Sequence, residues 1–372
     1  MDFAFHGSAR DLAMVRFDDR LAEALEAAGH TRVRLTPRGG GADVVFAHIG
    51  PECGPPYQRP DPTVLVVGLL RVPRPVEDLG EFAYGCLVRS VSDLLITVTG
   101  PEDTPETWVA GLDRPLERIA AQAWSRRHFA LLLERLQPLL GAHLAMDNIF
   151  DRDLDEGLLD GGSAVEELRR AAAALADQGA LPEGYPVRDV VGSKDASQLE
   201  RLARARSISY GDLSARQDEL RFWMTTSGVD WRRIEVVGRD VELVKGYDPQ
   251  SRALLISVPP GVRPRRTSPD ALGHLLIYRQ EPRVGAIMHL HAWLSTVERV
   301  VPDYPRGSVE RARSLADTVR TAADPVHAVV GIERHGILVT GEGPDEIVQR
   351  LRGAEITPVP PPAGGAPVTG RR

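Results

Sequence analysis

Apolar runs of strand length recur through the first part of the chain, and helix-like segments separate them. Runs typical of buried strands span Asp43–Ile49, Val64–Leu70 and Asp93–Val98. Between them, Phe17–Gly29 and Val76–Ser90 have the residue spacing of helices. Strands that alternate with helices predict an α/β layer built on a largely parallel sheet. A long helical segment over Pro105–Leu140 is predicted to close this half of the chain.

The second part returns to short strand patterns, and the chain of 372 residues is long enough for two domains. Strands are predicted at Arg221–Thr225, Val241–Val244, Leu254–Val258, Val284–His291, His327–Ile332 and Ile337–Val339, and helices at Ser163–Gly179, Ser268–Gln280, Val309–Thr321 and Pro344–Leu351. We therefore predict an N-terminal α/β domain at 1–148, a linker at 149–162, a second domain at 163–353 and a disordered Pro/Gly-rich tail at 354–372. The outline of the first domain is similar to a Rossmann-like half, which by itself indicates no function.

Charge and composition exclude several classes of function. Lys and Arg number 45 against 52 Asp and Glu, so no basic excess is present to bind nucleic acid. No apolar run approaches the ~18–20 residues of a membrane span, and no signal peptide is visible. Cys53 and Cys86 are too few for a disulfide framework and too far apart for a metal knuckle. These features predict a cytoplasmic protein that binds neither nucleic acid nor membrane.

Three histidines near the C-terminal end have the spacing of metal ligands. His289 and His291 lie two residues apart in a predicted strand, so both imidazoles project from the same side. His335 follows a second apolar strand and precedes Gly336. Three histidines and an open fourth position are typical of a catalytic zinc site. The alternative at this point is a set of half-exposed strand histidines.

Motifs around these histidines resemble the class II aldolase/adducin family. They are Thr267-Ser-Pro-Asp-Ala-Leu-Gly-His274, the His289-x-His291 strand end, Ile332-Glu-Arg-His-Gly336, Gly211-Asp-Leu-Ser-Ala-Arg216 and Trp223-Met-Thr-Thr-Ser-Gly-Val229. The motifs occur in the family's order, and the resemblance covers roughly residues 163–352. It implies an α/β/α domain with a central, mainly antiparallel sheet, and it leaves the N-terminal domain unassigned.

The resemblance implies a zinc-dependent lyase that cleaves a carbon–carbon bond of a small sugar or sugar phosphate through a metal-bound enediolate. His289, His291 and His335 would hold Zn²⁺ or another divalent metal. Asp270 would be the acid/base and Tyr304 a further catalytic residue, while His274 is expected to pack behind the site rather than to ligate. The substrate- or phosphate-binding positions would be Gly211, Asp212, Ser214, Thr226, Ser227, Gly228 and Ser268.

Several alternatives remain open within this resemblance. Asp212 replaces the family's usual Asn, and a carboxylate facing a phosphate is unfavourable, so the substrate lacks a phosphate or Asp212 binds a hydroxyl or amine. Family members also act as epimerases, dehydratases or decarboxylases with the same metal site, and adducin-like members are non-catalytic assembly modules. The family further implies a homo-oligomer, commonly a tetramer, and a carbohydrate-like small-molecule substrate.

Overall fold

The computed structural model forms two compact units, each built on its own sheet. The structure describes residues 1–9, 11–36, 40–50, 53, 57, 64–111, 114–140, 142, 147–177, 211–297 and 299–358. Described residues up to 140 belong to the N-terminal unit, and those from 142 onward belong to the C-terminal unit. None of the helices in these residues is long and apolar enough to cross a membrane.

Seven strands form the sheet of the N-terminal unit in the described residues. They are β1 (Asp2–His6), β2 (Thr31–Arg32), β3 (Val44–Ile49), β4 (Leu65–Val72), β5 (Leu94–Thr99), β6 (Glu106–Gly111) and β7 (Arg114–Arg118), with helices α1 (Leu12–Ala27), α2 (Leu79–Ser90) and α3 (Arg126–Leu140). The order is β2-β1-β3-β4-β5-β6-β7, and the first five strands are parallel. This order belongs to the doubly wound class of α/β sheets, which includes Rossmann-like sheets, and the predicted α/β layer is confirmed.

The long helix predicted over Pro105–Leu140 is wrong in its first half. Residues 106–111 and 114–118 form β6 and β7, an antiparallel pair that extends the sheet beyond β5. Thr107, Trp108 and Val109 favour a strand, and the edge of β5 offers them a ladder of hydrogen bonds. Only α3 from Arg126 onward is helical.

Cys53 and Cys86 are joined by a disulfide, which corrects the expectation of two separate thiols. Their Cα atoms lie 4.7 Å apart although 33 residues separate them in sequence. Cys86 lies on α2, and both side chains are buried in an apolar cluster with Ile49 and Leu70. The sheet brings the loop after β3 next to α2, and sequence spacing carries no signal of that contact.

The C-terminal unit contains a nine-stranded sheet in the part of the chain that the structure describes. Its strands are β8 (Asp147–Asp151), β9 (Gly211–Arg216), β10 (Phe222–Thr225), β11 (Val241–Asp248), β12 (Ala253–Ser257), β13 (Ala286–Leu290), β15 (Arg299–Val301), β16 (Val329–Ile332) and β17 (Gly336–Gly341). They lie in the order β15-β16-β17-β13-β9-β10-β11-β12-β8. Only the outer pairs, β15 with β16 and β12 with β8, are parallel, so the predicted mainly antiparallel sheet is confirmed.

Helices cover both faces of this sheet. They are α4 (Gly162–Asp177), α5 (Ala271–Gln280), α6 (Val309–Arg320) and α7 (Pro344–Leu351). α4 and α7 bury apolar side chains such as Leu168 and Ile347 on one face, together with Trp223 and Leu243 of the sheet. α5 and α6 pack on the opposite face, where Leu275 and Leu315 join the second apolar core. The predicted α/β/α layering is confirmed.

Three predicted segments differ from the structure. Residues 149–151 of the predicted linker lie in β8, because Phe150 packs on the second core and the strand pairs with β12. The predicted loop Gly211–Arg216 is strand β9, since Leu213 and Ala215 alternate into the first core. Part of the predicted tail is strand β18 (Ile356–Pro358), paired with β14 (Ala292–Leu294). Residues 359–372 of the tail and residues 178–210 lie outside the described residues.

Candidate metal centre

The three histidines predicted as ligands converge at one end of the nine-stranded sheet. His289 lies in β13, His291 directly follows that strand, and His335 lies in the turn between β16 and β17. Two glycines allow the neighbouring strands to approach closely. A Cβ on Gly336 would lie 2.0 Å from the Leu290 carbonyl oxygen, and one on Gly211 would lie 2.4 Å from the His289 carbonyl oxygen. Larger residues at these positions would push the strands away from the histidines.

The three imidazoles are close enough to share one cation. Their ring centroids lie 4.9 Å apart for His289 and His291, 4.9 Å for His289 and His335, and 4.3 Å for His291 and His335. One ring nitrogen from each lies within 4.8 Å of the others. All three side chains are buried, and His289 Nε2 has no hydrogen-bond partner among the described residues. Three neutral imidazole donors around a common point fit a divalent transition metal such as Zn²⁺.

Two carboxylates lie on the other side of the His289 ring. His289 is paired with Asp212 of β9, and its Nδ1 lies 3.3 Å from Asp212 Oδ2. The same Nδ1 lies 3.2 Å from Asp270 Oδ2 at the start of α5. An ionised carboxylate can only accept a hydrogen bond, so Nδ1 carries a proton in these contacts, and the neutral form of the ring then has its lone pair on Nε2. A carboxylate behind a histidine in this way orients the ring and raises its basicity as a ligand.

The charges at the site shift several pKa values. Burial opposes ionisation of Asp212, but the hydrogen bonds with His274 and His289 outweigh it and hold the pKa of Asp212 below its usual value. Asp270 is buried as well, and the positive charge of Arg311 and the contact with His289 hold its pKa well below the usual value. The two carboxylates in turn raise the pKa of His289 against its burial. Both aspartates are therefore ionised at neutral pH.

A chain of buried polar contacts extends from Asp212 away from the histidines. His274 Nε2 lies 3.1 Å from Asp212 Oδ1, and its Nδ1 lies 2.8 Å from Ser214 Oγ. Ser214 Oγ lies 2.9 Å from the Tyr278 hydroxyl. His274 thus packs behind the ligand set, as predicted, and it connects α5 to β9. The role of Tyr278 was not predicted.

Arg311 is a site residue that the sequence analysis missed. It lies in α6, is 1% exposed, and its Nε is 3.1 Å from Asp270 Oδ1. A signal was present in the sequence, because Arg311 precedes Leu315 by four residues and Val319 by eight and so falls on the apolar stripe of the helix. A charged residue on such a stripe is buried, and a buried charge needs a partner.

The residues predicted to bind phosphate lie at the same sheet end, and several of their hydroxyls already bond to protein. Ser268 Oγ donates to Asp212 Oδ2 at 2.7 Å, and Thr226 Oγ1 donates to the Arg239 carbonyl oxygen at 2.9 Å. Ser214 belongs to the buried chain described above. Ser227 and Gly228 form the predicted turn after β10, where Gly228 has a φ of 71°.

Tyr304 lies on the segment between β15 and α6. Its backbone N–H donates to the Pro302 carbonyl oxygen at 2.8 Å, and its side chain is partly exposed. The segment begins beside the turn that carries His335, because the Glu333 N–H donates to the Val301 carbonyl oxygen at 3.0 Å. Its assignment as a catalytic residue stays a prediction.

The fold and the site together define a mixed α/β protein with a buried three-histidine cluster backed by carboxylates. Residues 204–299 match the family model described as Class II Aldolase and Adducin N-terminal domain. Over these residues, which include several of the motifs found in the sequence, the chain is similar to the class II aldolase/adducin family.

Solved structures with a similar arrangement include YgbL of Escherichia coli, provisionally described as an aldolase/epimerase/decarboxylase. It has 19% identity and a TM-score of 0.34 over 50% of this chain and 82% of its own. L-fuculose 1-phosphate aldolase of Glaciozyma antarctica PI12 has 16% identity and a TM-score of 0.32 over 51% of this chain and 68% of its own. A search of curated proteins returned no significant match. Likeness of this size does not assign an activity to the chain.

Proposed function

We propose that this protein is a metal-dependent lyase that cleaves a carbon–carbon bond of a small carbohydrate-like substrate in the retro-aldol direction or forms it in the reverse. The observation that carries the proposal is the convergence of His289, His291 and His335, with His289 backed by Asp212 and Asp270. Burying two carboxylates and a guanidinium costs free energy, and a catalytic role accounts for their retention better than stability does.

The three histidines would hold Zn²⁺ or another divalent ion, which when bound acts as a Lewis acid toward a substrate carbonyl oxygen and stabilises the charge that develops there. Asp212 orients His289 through Nδ1 and keeps Nε2 free of a proton. Asp270 would accept the proton of a substrate hydroxyl at Oδ2, the oxygen that lies 3.2 Å from His289 Nδ1. The low exposure of these groups excludes bulk water and strengthens each charge interaction.

A zinc measurement tests the metal centre. The purified protein is compared with His289→Ala, His291→Ala and a control, His327→Ala, whose ring lies at the surface beside Asp324. We expect zinc in the wild type and the control, and strongly reduced zinc in the other two variants. Equal, near-zero zinc in the wild type and both cluster variants would overturn the proposal.

Product analysis distinguishes the reactions that this site could support. A retro-aldol reaction yields two fragments, an epimerase returns all carbons in one product, a decarboxylase releases carbon dioxide and a dehydratase releases water. The zinc-loaded protein is incubated with short ketoses and sugar acids, with and without a terminal phosphate. An adducin-like assembly module would instead hold no metal and form stable assemblies with another chain.

Four further expectations stay predictions. The phosphate arm of the substrate panel tests substrate or phosphate binding at the seven predicted positions, Gly211, Asp212, Ser214, Thr226, Ser227, Gly228 and Ser268. Homo-oligomer formation is tested by light scattering. Division of the chain near residue 148 is tested by limited proteolysis. Cytoplasmic location is tested by fractionation, and the disulfide between Cys53 and Cys86 argues against the reducing compartment on which that prediction was based.

A further inference from the structure

The guanidinium of Arg311 is buried beside the metal centre with most of its donors unused. Its Nε lies 3.1 Å from Asp270 Oδ1, and Asp270 Oδ2 lies 3.2 Å from His289 Nδ1. No described residue accepts a hydrogen bond from Nη1 or Nη2, although the side chain is 1% exposed. Buried donors without acceptors are costly, so the four N–H groups on these two atoms indicate an acceptor that is not among the described residues.

The position of Arg311 in its helix makes the burial less favourable still. Ser308 caps α6 by accepting from the Arg311 N–H at 3.2 Å, so Arg311 lies in the first turn. The helix dipole is positive there, and a cation is favoured at the other end of a helix. Arg306 adds a second positive charge that acts on Asp270. The local field therefore favours an anion close to Asp270 and the histidines.

The charges of the site support the same reading. Asp212 and Asp270 bring two negative charges to His289, and the guanidinium of Arg311 brings a positive charge to Asp270. The hydroxyls of Ser214 and Ser268, which lie at positions expected to bind a phosphate, are bonded within the protein. The donors on Nη1 and Nη2 of Arg311 are therefore further candidates to bind an anionic group of the substrate.

We infer that Arg311 binds a carboxylate of the substrate through Nη1 and Nη2, so that the substrate is a hydroxy or keto acid of the carbohydrate type rather than a neutral sugar. The planar fork of a guanidinium matches the two oxygens of a carboxylate. This inference rests on the proposed function, because it places the carboxylate beside the metal-chelating part of the same substrate. It makes Arg311 a specificity-determining residue.

The test measures affinities by calorimetry on the zinc-loaded full chain. The probes are glycerate, its neutral isostere glyceramide, and glycerol 3-phosphate. The variant is Arg311→Lys, which keeps a positive charge beside Asp270 but removes the fork. The matched control is Arg313→Lys, an exposed residue of the same helix. We expect Arg311→Lys to weaken glycerate binding about tenfold or more, to change glyceramide binding little, and to leave zinc content unchanged. Arg313→Lys should match the wild type.

Three outcomes overturn the inference. In the first, the wild type binds glycerate and glyceramide with equal affinity. In the second, Arg311→Lys has normal zinc content and the same affinity as the wild type for every probe. In the third, Arg311→Lys loses affinity for glycerol 3-phosphate alone. The first outcome is measured on the wild type, so the inference can still be tested if Arg311→Lys does not fold. Zinc content is measured in the same samples. Absence of zinc from the wild type contradicts the proposed function, whereas normal zinc with an unchanged preference contradicts only the role of Arg311.

Discussion

In the seven-stranded sheet, strands β3, β4 and β5 are buried along nearly their whole length by apolar side chains. In the nine-stranded sheet, β9 and β13 are buried as well, but Asp212, Ser214 and His289 alternate there with apolar residues. The parallel strands have apolar contacts on both faces, as expected for such sheets. In β9 and β13, by contrast, part of one face carries the side chains of a buried polar network. The strands at the centre of the first sheet are thus packed mainly by apolar side chains, whereas those of the second also hold a buried polar network.

The largest effect that could break this comparison concerns metal binding. Replacing His335 with Ala removes one of three candidate ligands, and we expect zinc affinity to fall by more than about 100-fold, since losing a partner outside the ligand set already costs 10–100-fold. The control is His128→Ala, which removes a buried imidazole from the N-terminal unit. Zinc affinity is measured by chelator competition. An equal loss of zinc affinity in His335→Ala and His128→Ala would show that the histidine of the C-terminal unit matters no more for zinc binding than that of the N-terminal unit.

The second prediction concerns the disulfide of the N-terminal unit and its effect on the stability of that unit. Replacing Cys53 and Cys86 with Ser opens a loop whose ends are 33 residues apart, and we expect the N-terminal unit to lose about 3–4 kcal/mol of stability. Hydrogen exchange of the α2 amides reports that loss, and zinc binding at the C-terminal unit should not change. Unaltered exchange in α2 would contradict a stabilising role of the bond.

A smaller effect is expected behind the ligand set. In Asp212→Asn the carboxylate that accepts from His289 Nδ1 becomes a neutral amide, so the ring loses part of its basicity and orientation. We expect zinc affinity to fall about 10–100-fold. Asp218→Asn is the control, because Asp218 pairs with Arg221 at the surface beyond the end of β9. Equal zinc affinity in Asp212→Asn and wild type would contradict the geometry.

The smallest effect concerns a buried acid in β11. Burial raises the pKa of Glu242 well above 4.5, against the smaller opposing influence of Arg265. Its favourable contribution to stability is therefore complete at low pH and is lost as the pH rises through the folded-state pKa. We expect Glu242→Gln to be more stable than wild type at pH 8 by on the order of 1 kcal/mol, with the gain shrinking toward pH 5.

Urea unfolding at several pH values measures this difference. Glu235→Gln, at an exposed position in the segment between β10 and β11, serves as the control and should show no such trend. A gain from Glu242→Gln that does not change with pH would contradict the assignment of a neutral buried acid.

Most elements with strong periodicity could be predicted from the sequence. The apolar runs of β3, β4 and β5 and the amphipathic helices α4, α6 and α7 are confirmed near their predicted bounds. β8, whose partner β12 lies far along the chain, was missed, and so was the β6–β7 hairpin, which extends the sheet from the edge of β5. Such strands owe their stability to a neighbouring edge, which a local pattern does not contain.

The residues of the candidate site also fall into those that the sequence predicted and those that depend on tertiary packing. His289 and His291 could be predicted because alternation in a strand places both rings on one face, and His335 followed from the family motif. The positions of Arg311, Tyr278 and the disulfide could not, because each depends on which helix packs beside which strand. The hydroxyls of Ser214 and Ser268 matched the phosphate motif in sequence, whereas their bonds to His274 and Asp212 appear only in the folded chain.

The sequence by itself determined the alternation of strands with helices and the three histidines, because these follow from side-chain periodicity and residue type over short segments. The mainly antiparallel second sheet was implied by the resemblance to the class II aldolase/adducin family. Only the tertiary structure decided that Asp212 and Asp270 share His289 Nδ1, and that a guanidinium with unused donors lies behind Asp270. The physical reason is that charge interactions act through space, and the distances between these groups are set by the packing of α5 and α6 on the sheet.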